Sequence, residues 1–153
     1  MRPFRKILVA ADFSGYAAEA VRIASELSKL CDAPLTLVHV YQLPIYPLAP
    51  EGIIVPISDE TIADNLASLD RDLAKVAAQA TEAGAVAVDT KVREGIPADE
   101  IIAHARDNDF DLIALGTRGR TGLKHVLLGS VASNVVRRAP CAVLTVRPPA
   151  GRD

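Results

Sequence analysis

The chain alternates between short apolar runs and longer stretches in which apolar residues recur every three or four positions. The first short run has no polar alternation, which is typical of a strand in a sheet covered on both faces. The longer stretches indicate amphipathic helices. The predicted strands are 7–11, 35–40, 86–92, 111–115 and 141–146, and the predicted helices are 14–31, 58–84, 97–106 and 129–138. This alternating order predicts an α/β fold with a parallel sheet, helices on both faces and right-handed crossovers.

The helix at 58–84 has the strongest periodicity, with apolar residues at spacings of four and three from Ile62 to Ala83. Ser58 is a good N-cap and Gly84 a good stop. Packing of this stripe on the sheet is favoured over a coiled coil. Residues 41–57 contain four prolines and predict an irregular excursion with no regular element.

Size and composition predict a single domain spanning residues 1–153, with 50% hydrophobic and 24% charged residues. The apolar run at 7–11 is too short for a signal peptide, and no window approaches the roughly 18 apolar residues of a membrane span. We therefore expect a cytoplasmic protein without a membrane contact. Cys31 and Cys141 lack metal-ligand spacing and are interpreted as small buried hydrophobes.

Charge is distributed unevenly along the chain. Residues 112–152 contain seven basic and no acidic residues, whereas residues 1–111 contain ten basic and eighteen acidic residues. This asymmetry indicates that the C-terminal region meets a polyanion. A chain with no Trp and 4% aromatic residues is a poor candidate for nucleic-acid binding, so a nucleotide or another phosphate ester is the better hypothesis.

A glycine pattern lies inside this basic region. Gly116-Thr117-Arg118-Gly119 follows a predicted strand, and Gly129-Ser130 opens a predicted helix after nine intervening residues. Glycines let main-chain N–H groups approach an anion, and a helix N-terminus carries partial positive charge. The pattern predicts a phosphate cradle at the carboxyl end of the strand. Asp12 follows the first strand, so it faces the same crevice if the two strands are neighbours.

The spacing G-x2-G-x9-G-[S/T], together with the blocks 7–14 and 138–143, closely resembles the ATP-binding subgroup of the universal stress protein family. The resemblance implies an open five-stranded parallel sheet of order 3-2-1-4-5, of the adenine nucleotide alpha hydrolase-like or Rossmann-like type. It also implies ATP bound between the first and fourth strands, and a homodimer through the last strand, Cys141 to Val146. In a monomer this apolar strand would be an exposed edge of the sheet, which natural proteins avoid.

The resemblance further implies individual roles for the site residues. Asp12 would bond the ribose or the adenine edge, and Ala10 and Val40 would form walls of the base pocket. The remaining residues would flank the adenosine (Leu115, Gly116), line the loop over the phosphates (Arg118, Gly119) and present N–H groups or a hydroxyl to the phosphates (Gly129, Ser130, Val131).

Structural alternatives stay open for these residues. Asp12 could cap the first helix jointly with Ser14, the glycines could serve a turn or a cap, and Arg118 and Arg120 could be solvated loop charges. The three histidines, His39, His104 and His125, have no partner at ligand or triad spacing and are interpreted as structural.

The chain has no Walker A Lys-[Ser/Thr] pair, and no acidic pair beside the loop to hold magnesium. We therefore expect ATP binding with little or slow hydrolysis by a regulatory protein of the stress response, with unknown protein partners. A magnesium ion held by the phosphates and water is compatible with this hypothesis. The competing hypotheses are a slow ATPase or adenylate-transferring enzyme, and an interaction module that binds no nucleotide.

Overall fold

The computed structural model describes residues 2–43, 47–48, 53–54, 57–119 and 127–150. No helix in these ranges is both long enough and apolar enough to cross a bilayer. The elements in chain order are β1 (Ile7–Ala10), α1 (Gly15–Cys31), β2 (Leu35–Tyr41), β3 (Pro47–Leu48), β4 (Ile53–Ile54), α2 (Asp59–Glu82), β5 (Val88–Glu94), α3 (Pro97–Asp107), β6 (Leu112–Gly116), α4 (Ser130–Arg138) and β7 (Ala142–Val146).

The main sheet has five parallel strands in the order β5-β2-β1-β6-β7. Counted along the chain within this sheet, the order is 3-2-1-4-5, so the predicted fold is confirmed. Ile7 of β1 pairs with Leu35 on one side and with Leu112 on the other. Because β1 and β6 are parallel neighbours, the chain leaves both strands at the same edge of the sheet.

Helices cover both faces of this sheet through two separate cores. On one face, Val9 and Leu37 pack with residues of α1 and α2, including Ala24 and Leu73. On the other face, strand residues pack with α3 and α4. These residues form the second core: Leu8, Val38, Ala98, Ile101, Ile102, Ala105, Phe110, Ile113, Leu115, Ala132 and Val135. The first two helices of the described chain thus cover one face of the sheet, and the last two cover the other.

The excursion at 41–57 contains regular structure that the sequence did not predict. β3 and β4 pair antiparallel as a short hairpin, with Pro47 opposite Ile54. A proline cannot donate to a ladder, but it is tolerated in a short edge strand of this kind. The prediction of no element was therefore wrong for these four residues, and the prediction for 44–46, 49–52 and 55–56 lies outside the described residues.

Helix α2 is longer than the sheet beneath it. Its 24 residues span about 36 Å, whereas the seven residues of β5 span about 23 Å. Leu73 and Ala80 are accordingly buried in the core, whereas Leu66 and Leu69 line an open cleft of about 260 Å³ with Leu43. The interpretation of the apolar stripe as core is confirmed only for the C-terminal half of α2.

Candidate functional site

A buried histidine of β2 forms a hydrogen bond with the turn after β1. The Nδ1–H of His39 donates to the carbonyl of Ala11 at 2.7 Å, since a carbonyl oxygen can only accept. The ring of Phe13 lies 4.6 Å from the His39 ring, and Phe13 adopts a left-handed backbone conformation with φ of 62°. Such a conformation is costly for a non-glycine residue and persists where the surroundings impose it. His39 and Phe13 thus fix the path of the chain through Asp12.

Asp12 has two differently used carboxylate oxygens. Its Oδ1 accepts from the main-chain N–H of Ser14 at 3.0 Å and from the Ser14 hydroxyl at 2.5 Å. Ser14 Oγ in turn accepts from the N–H of Ala17 and caps α1. The other oxygen, Oδ2, points toward Gly119, where a Cβ would lie only 2.9 Å away. The capping role considered for Asp12 is therefore present at Oδ1, and Oδ2 faces the glycine loop.

The loop after β6 contains two glycines that are required by contacts within the protein. A Cβ on Gly116 would lie 2.6 Å from Cβ and 2.9 Å from the carbonyl carbon of Tyr16, so α1 packs directly against this strand end. At Gly119 the space that a Cβ would need is taken by the Asp12 carboxylate, as described above. Neither glycine needs a positive φ, because the described glycines with positive φ are Gly84 and Gly95. Close packing therefore accounts for both positions.

Thr117 joins the ends of three elements through its main chain. Its N–H donates to the carbonyl of Val146 in β7 at 2.9 Å, and its carbonyl accepts from the N–H of Gly129 at 2.6 Å. The second bond brings the two parts of the glycine motif together and places the start of α4 beside the loop. The Thr117 side chain is 8% exposed, and its Oγ1 has no hydrogen-bond partner within the described part of the chain.

The N-terminus of α4 has no capping side chain among the described residues. Its N-cap is Gly129, and its first turn contains no acidic residue. The other three described helices have different residues at their N-termini. Ser14 and Ser58 cap α1 and α2. The start of α3 also lacks a side-chain cap, but it has Pro97 at its first position and two acidic residues in its first turn. An uncapped helix N-terminus presents N–H donors and partial positive charge, which suits an anion.

An apolar wall adjoins this helix start. Ala10, Val40 and Val131 are half-buried and pack on the second core, which leaves part of each side chain accessible. Leu115 is 3% exposed, so it can line the cleft only through its main chain. Ser130 is exposed at the first position of α4. The structure thus brings the predicted site residues together at one edge of the sheet.

The basic residues of the C-terminal region do not all face this edge. Arg138 pairs with Asp99 of α3 at 2.7 Å, and Arg137 donates to Asn134. Both arginines lie in the last turn of α4, where they complement the negative end of the helix dipole. Arg137 and Arg138 therefore lie at the opposite end of α4 from the glycine loop. Arg120 and Lys124 lie outside the described residues.

His104 and the two cysteines differ in how deeply they are buried. His104 is 6% exposed, and burial together with Arg93, Lys91 and Lys6 lowers its pKa, an effect that Asp107 opposes only in part. Cys31 is buried as expected, whereas Cys141 is half-buried. Burial and, to a smaller extent, Asp111 raise the pKa of the Cys141 thiol. His125 lies outside the described residues.

No three His, Cys, Asp or Glu side chains are grouped as a metal site within the described ranges. Two cavities in these ranges lie away from the loop, one beside α2 and one of about 150 Å³ between α1, α2 and the Phe13 turn. Cavity size therefore does not distinguish the candidate site. The glycine contacts and the start of α4 distinguish it.

Sequence reasoning missed three residues that shape the site, Phe13, Tyr16 and Thr117, and it interpreted His39 as structural, which agrees with the bond from His39 to Ala11. A signal existed for His39, since it is a polar residue within an apolar strand sequence. Tyr16 gave none, because its contact is with a residue one hundred positions away. The left-handed conformation of Phe13 is also unexpected for an aromatic residue.

Residues 3–147 match the model of the universal stress protein family. A universal stress protein of Methanocaldococcus jannaschii is 35% identical over 147 residues, which cover 95% of this chain and 84% of the relative. The solved structure of universal stress protein UspA from Lactobacillus plantarum is 28% identical, with a TM-score of 0.77 and coverage of 94% and 97%. A further solved universal stress protein, in complex with cAMP, is 25% identical, with a TM-score of 0.71 and the same coverage.

The chain is a parallel α/β protein whose glycine loop and α4 start, which has no described capping side chain, lie at one edge of the sheet. The chain belongs to the universal stress protein family.

Proposed function

We propose that this protein binds an adenine nucleotide in the cleft between β1 and β6, with the phosphates at the start of α4. One observation carries the proposal. The 2.6 Å hydrogen bond from Gly129 to Thr117 and the approach of Gly119 to Asp12 bring the glycine motif together at a single point. At this point a helix N-terminus has no capping side chain among the described residues.

The contacts of such a complex follow from the positions of the residues. The base would lie against Ala10 and Val40, and the Oδ2 of Asp12, which faces Gly119, would accept from a ribose hydroxyl or the adenine edge. The phosphates would bind the main-chain N–H groups of residues 129–131 and the Ser130 hydroxyl. Arg118 and Gly119 would cover them, and the main chain of Leu115 and Gly116 would flank the adenosine.

A nucleotide ligand is supported by the solved family member that contains cAMP, at 25% identity to this chain. Within this class we propose ATP as the ligand, with any magnesium ion held by the phosphates and water. We further propose a regulatory role in the stress response with little or slow hydrolysis, because residues 112–152 contain no acid that could hold a catalytic metal.

Isothermal titration with ATP, ADP, AMP and cAMP tests the proposal. Saturable binding of at least one of them below about 1 mM is expected, and the absence of any binding at that concentration contradicts it. Phosphate release in the same samples measures hydrolysis, and turnover at the rate of a typical kinase, about 1 per second or more, contradicts a regulatory role.

Two glycine variants provide a matched pair. Gly119→Ala places a methyl group 2.9 Å from Asp12 Oδ2, and we expect nucleotide affinity to fall about tenfold or more. Gly15→Ala, also at the cleft edge of the sheet, adds a methyl group to open space and leaves affinity unchanged. Equal affinities of the two variants contradict the assignment of Gly119 to the site.

We also propose a homodimer through β7. The two edge strands of the main sheet differ, since β5 carries Asp89, Lys91, Arg93 and Glu94, whereas the sequence of β7 is AVLTV without a charge. Charged residues protect an edge strand from pairing, and β7 has none. Sedimentation at micromolar concentration is expected to show a dimer, and a monomer under these conditions contradicts the proposal. Residues 1–153 then form a single domain in each subunit.

A further inference from the structure

Tyr16 occupies a fixed position beside the glycine loop. It lies in the first turn of α1, and its Cβ and carbonyl carbon approach the site of a Cβ on Gly116 to 2.6 and 2.9 Å. The two main chains therefore touch without an intervening side chain. Because both α1 and β6 belong to the core, this contact fixes the main chain and Cβ of Tyr16, from which the half-buried ring extends.

Arg118 folds back over this ring. Its guanidinium carbon lies 5.9 Å from the centroid of the Tyr16 ring, within the range of a cation–π contact. The main chain of Arg118 also lies beside the start of α4, since its Cα is 3.5 Å from the position of a Cβ on Gly129. The Arg118 side chain thus lies over a residue of α1, while its main chain lies beside the start of α4.

The charges around the loop make the position of this cation important. The carboxylate of Asp12 faces Gly119 and repels any phosphate that enters the cleft. Coulomb attraction to a fixed guanidinium grows with the charge of the ligand. A polyphosphate chain carries more negative charge than a monophosphate, so it gains more from Arg118. The main-chain N–H groups of α4 bind a phosphate of either ligand.

We propose that Tyr16 is a positioning residue that holds Arg118 at the phosphate end of the cleft, and that this pair sets a preference for nucleoside polyphosphates over nucleoside monophosphates. The inference rests on the nucleotide-binding function proposed above. It assigns Tyr16 a role that requires its ring and not its hydroxyl group.

The test is isothermal titration of ATP and AMP into the wild-type protein, three single variants and the double variant that combines Tyr16→Leu with Arg118→Gln. Arg118→Gln is expected to lower ATP affinity about tenfold and AMP affinity by about twofold or less. Tyr16→Leu is expected to lower ATP affinity about threefold, with AMP affinity unchanged, as fits a partly exposed cation–π contact. Tyr16→Phe keeps the ring and therefore retains the wild-type ratio of the two affinities.

A structural role of Tyr16 would not change this ratio, because it would weaken both ligands equally. Equal losses for ATP and AMP, an unchanged ratio in Arg118→Gln, or a wild-type preference for AMP would each overturn the inference. Should Tyr16→Leu not fold, Tyr16→Met takes its place, both as a single variant and in the double variant with Arg118→Gln. The double variant is expected to lose no more ATP affinity than Arg118→Gln alone.

The outcome separates this inference from the proposed function. Wild-type protein that binds none of ATP, ADP, AMP and cAMP contradicts the proposed function itself. Wild-type protein that binds ATP, with a preference indifferent to Tyr16 and Arg118, contradicts only the inference.

Discussion

The N-termini of α1 and α4 lie at the same edge of the sheet but differ in what accepts hydrogen bonds from their first N–H groups. In α1, Ser14 accepts from Ala17 and is itself held by Asp12. In α4, Gly129 precedes the helix, and no described side chain caps it. Both helices follow a buried parallel strand, so topology alone does not explain the difference. A helix start that satisfies its own donors is structural, whereas an open one beside it is suited to a ligand.

Giving α4 a cap of its own is expected to have the largest effect on this comparison. In Gly129→Asp, a carboxylate would accept from the first turn of α4 and repel phosphate, so we expect nucleotide affinity to fall about 100-fold, or about 2.7 kcal/mol. Gly129→Ala is the control, since it makes the same 3.3 Å approach of Cβ to the Thr117 carbonyl without a charge. Urea unfolding should find the Asp variant about 1 kcal/mol more stable than the Ala variant. Equal affinities of the two variants would show that α4 does not bind the phosphates.

Removing the cap of α1 is the converse change. Ser14→Ala deletes the acceptor for Ala17 N–H, and we expect the free energy of unfolding to fall by about 1 kcal/mol in urea titrations. Asp12 keeps its bond from the Ser14 main chain, so nucleotide affinity should change less than about threefold. Ser58→Ala removes an equivalent cap from α2, far from the cleft, and serves as the control. Loss of binding without loss of stability in Ser14→Ala would contradict the structural role of this cap.

The support of α4 is expected to be more sensitive to acid than that of α1, because α3, which packs on α4, contains buried His104. Nδ1 of His104 faces two donors, Arg93 Nη1 at 3.4 Å and Asn108 Nδ2 at 3.3 Å, so it accepts and the ring is neutral. Its pKa is lowered by burial and by nearby Arg93, Lys91 and Lys6, whereas the unfolded value is about 6.5. The unfolded chain therefore binds the proton more readily, and stability present above pH 6.5 is lost as the pH falls below it.

The size of this loss should be about 0.5 kcal/mol between pH 7 and 5.5, because water screens the surrounding charges. Urea unfolding at these pH values measures it. In His104→Leu the pH dependence over this range should disappear. An unchanged slope in that variant would assign the effect to another group.

The smallest effect is expected at the tie between α3 and α4. Arg138 and Asp99 are about half exposed, and such ion pairs contribute a few tenths of a kcal/mol. Arg138→Ala should therefore lower the free energy of unfolding by less than about 0.5 kcal/mol and leave nucleotide affinity unchanged. Arg137→Ala, in the same turn, is the control. A large loss of affinity in Arg138→Ala would mean that the far end of α4 positions its start.

Local signals explain why most of the fold could be predicted from the sequence. Ser14 and Ser58 cap the helices as expected, and Gly84 follows the end of α2 with a φ of 104°. Alternation of elements predicted a parallel sheet, but the strand order came from family resemblance. Two elements escaped prediction. The two-residue strands β3 and β4 are too short to show a period, and the overhang of α2 depends on the length of the sheet beneath it.

The candidate site was only partly predictable, for a different reason. Spacing identified Gly116, Gly119 and Gly129, and attributed them to the approach of an anion. The structure shows that Gly116 makes room for Tyr16 and Gly119 for Asp12, across one hundred or more positions of sequence. Contacts over such separations leave no local pattern. The Thr117 hydroxyl has no hydrogen-bond partner among the described residues, a feature that is likewise visible only in three dimensions.

The contact between Gly116 and Tyr16 also sets a limit for protein engineering. Backbone atoms meet there at a distance that no added methyl group can enter, so position 116 tolerates no library of side chains. Substitutions that alter ligand preference would have to be made at Arg118 and beyond. Gly116 would be kept, because it allows the first helix to pack against the fourth strand of the sheet.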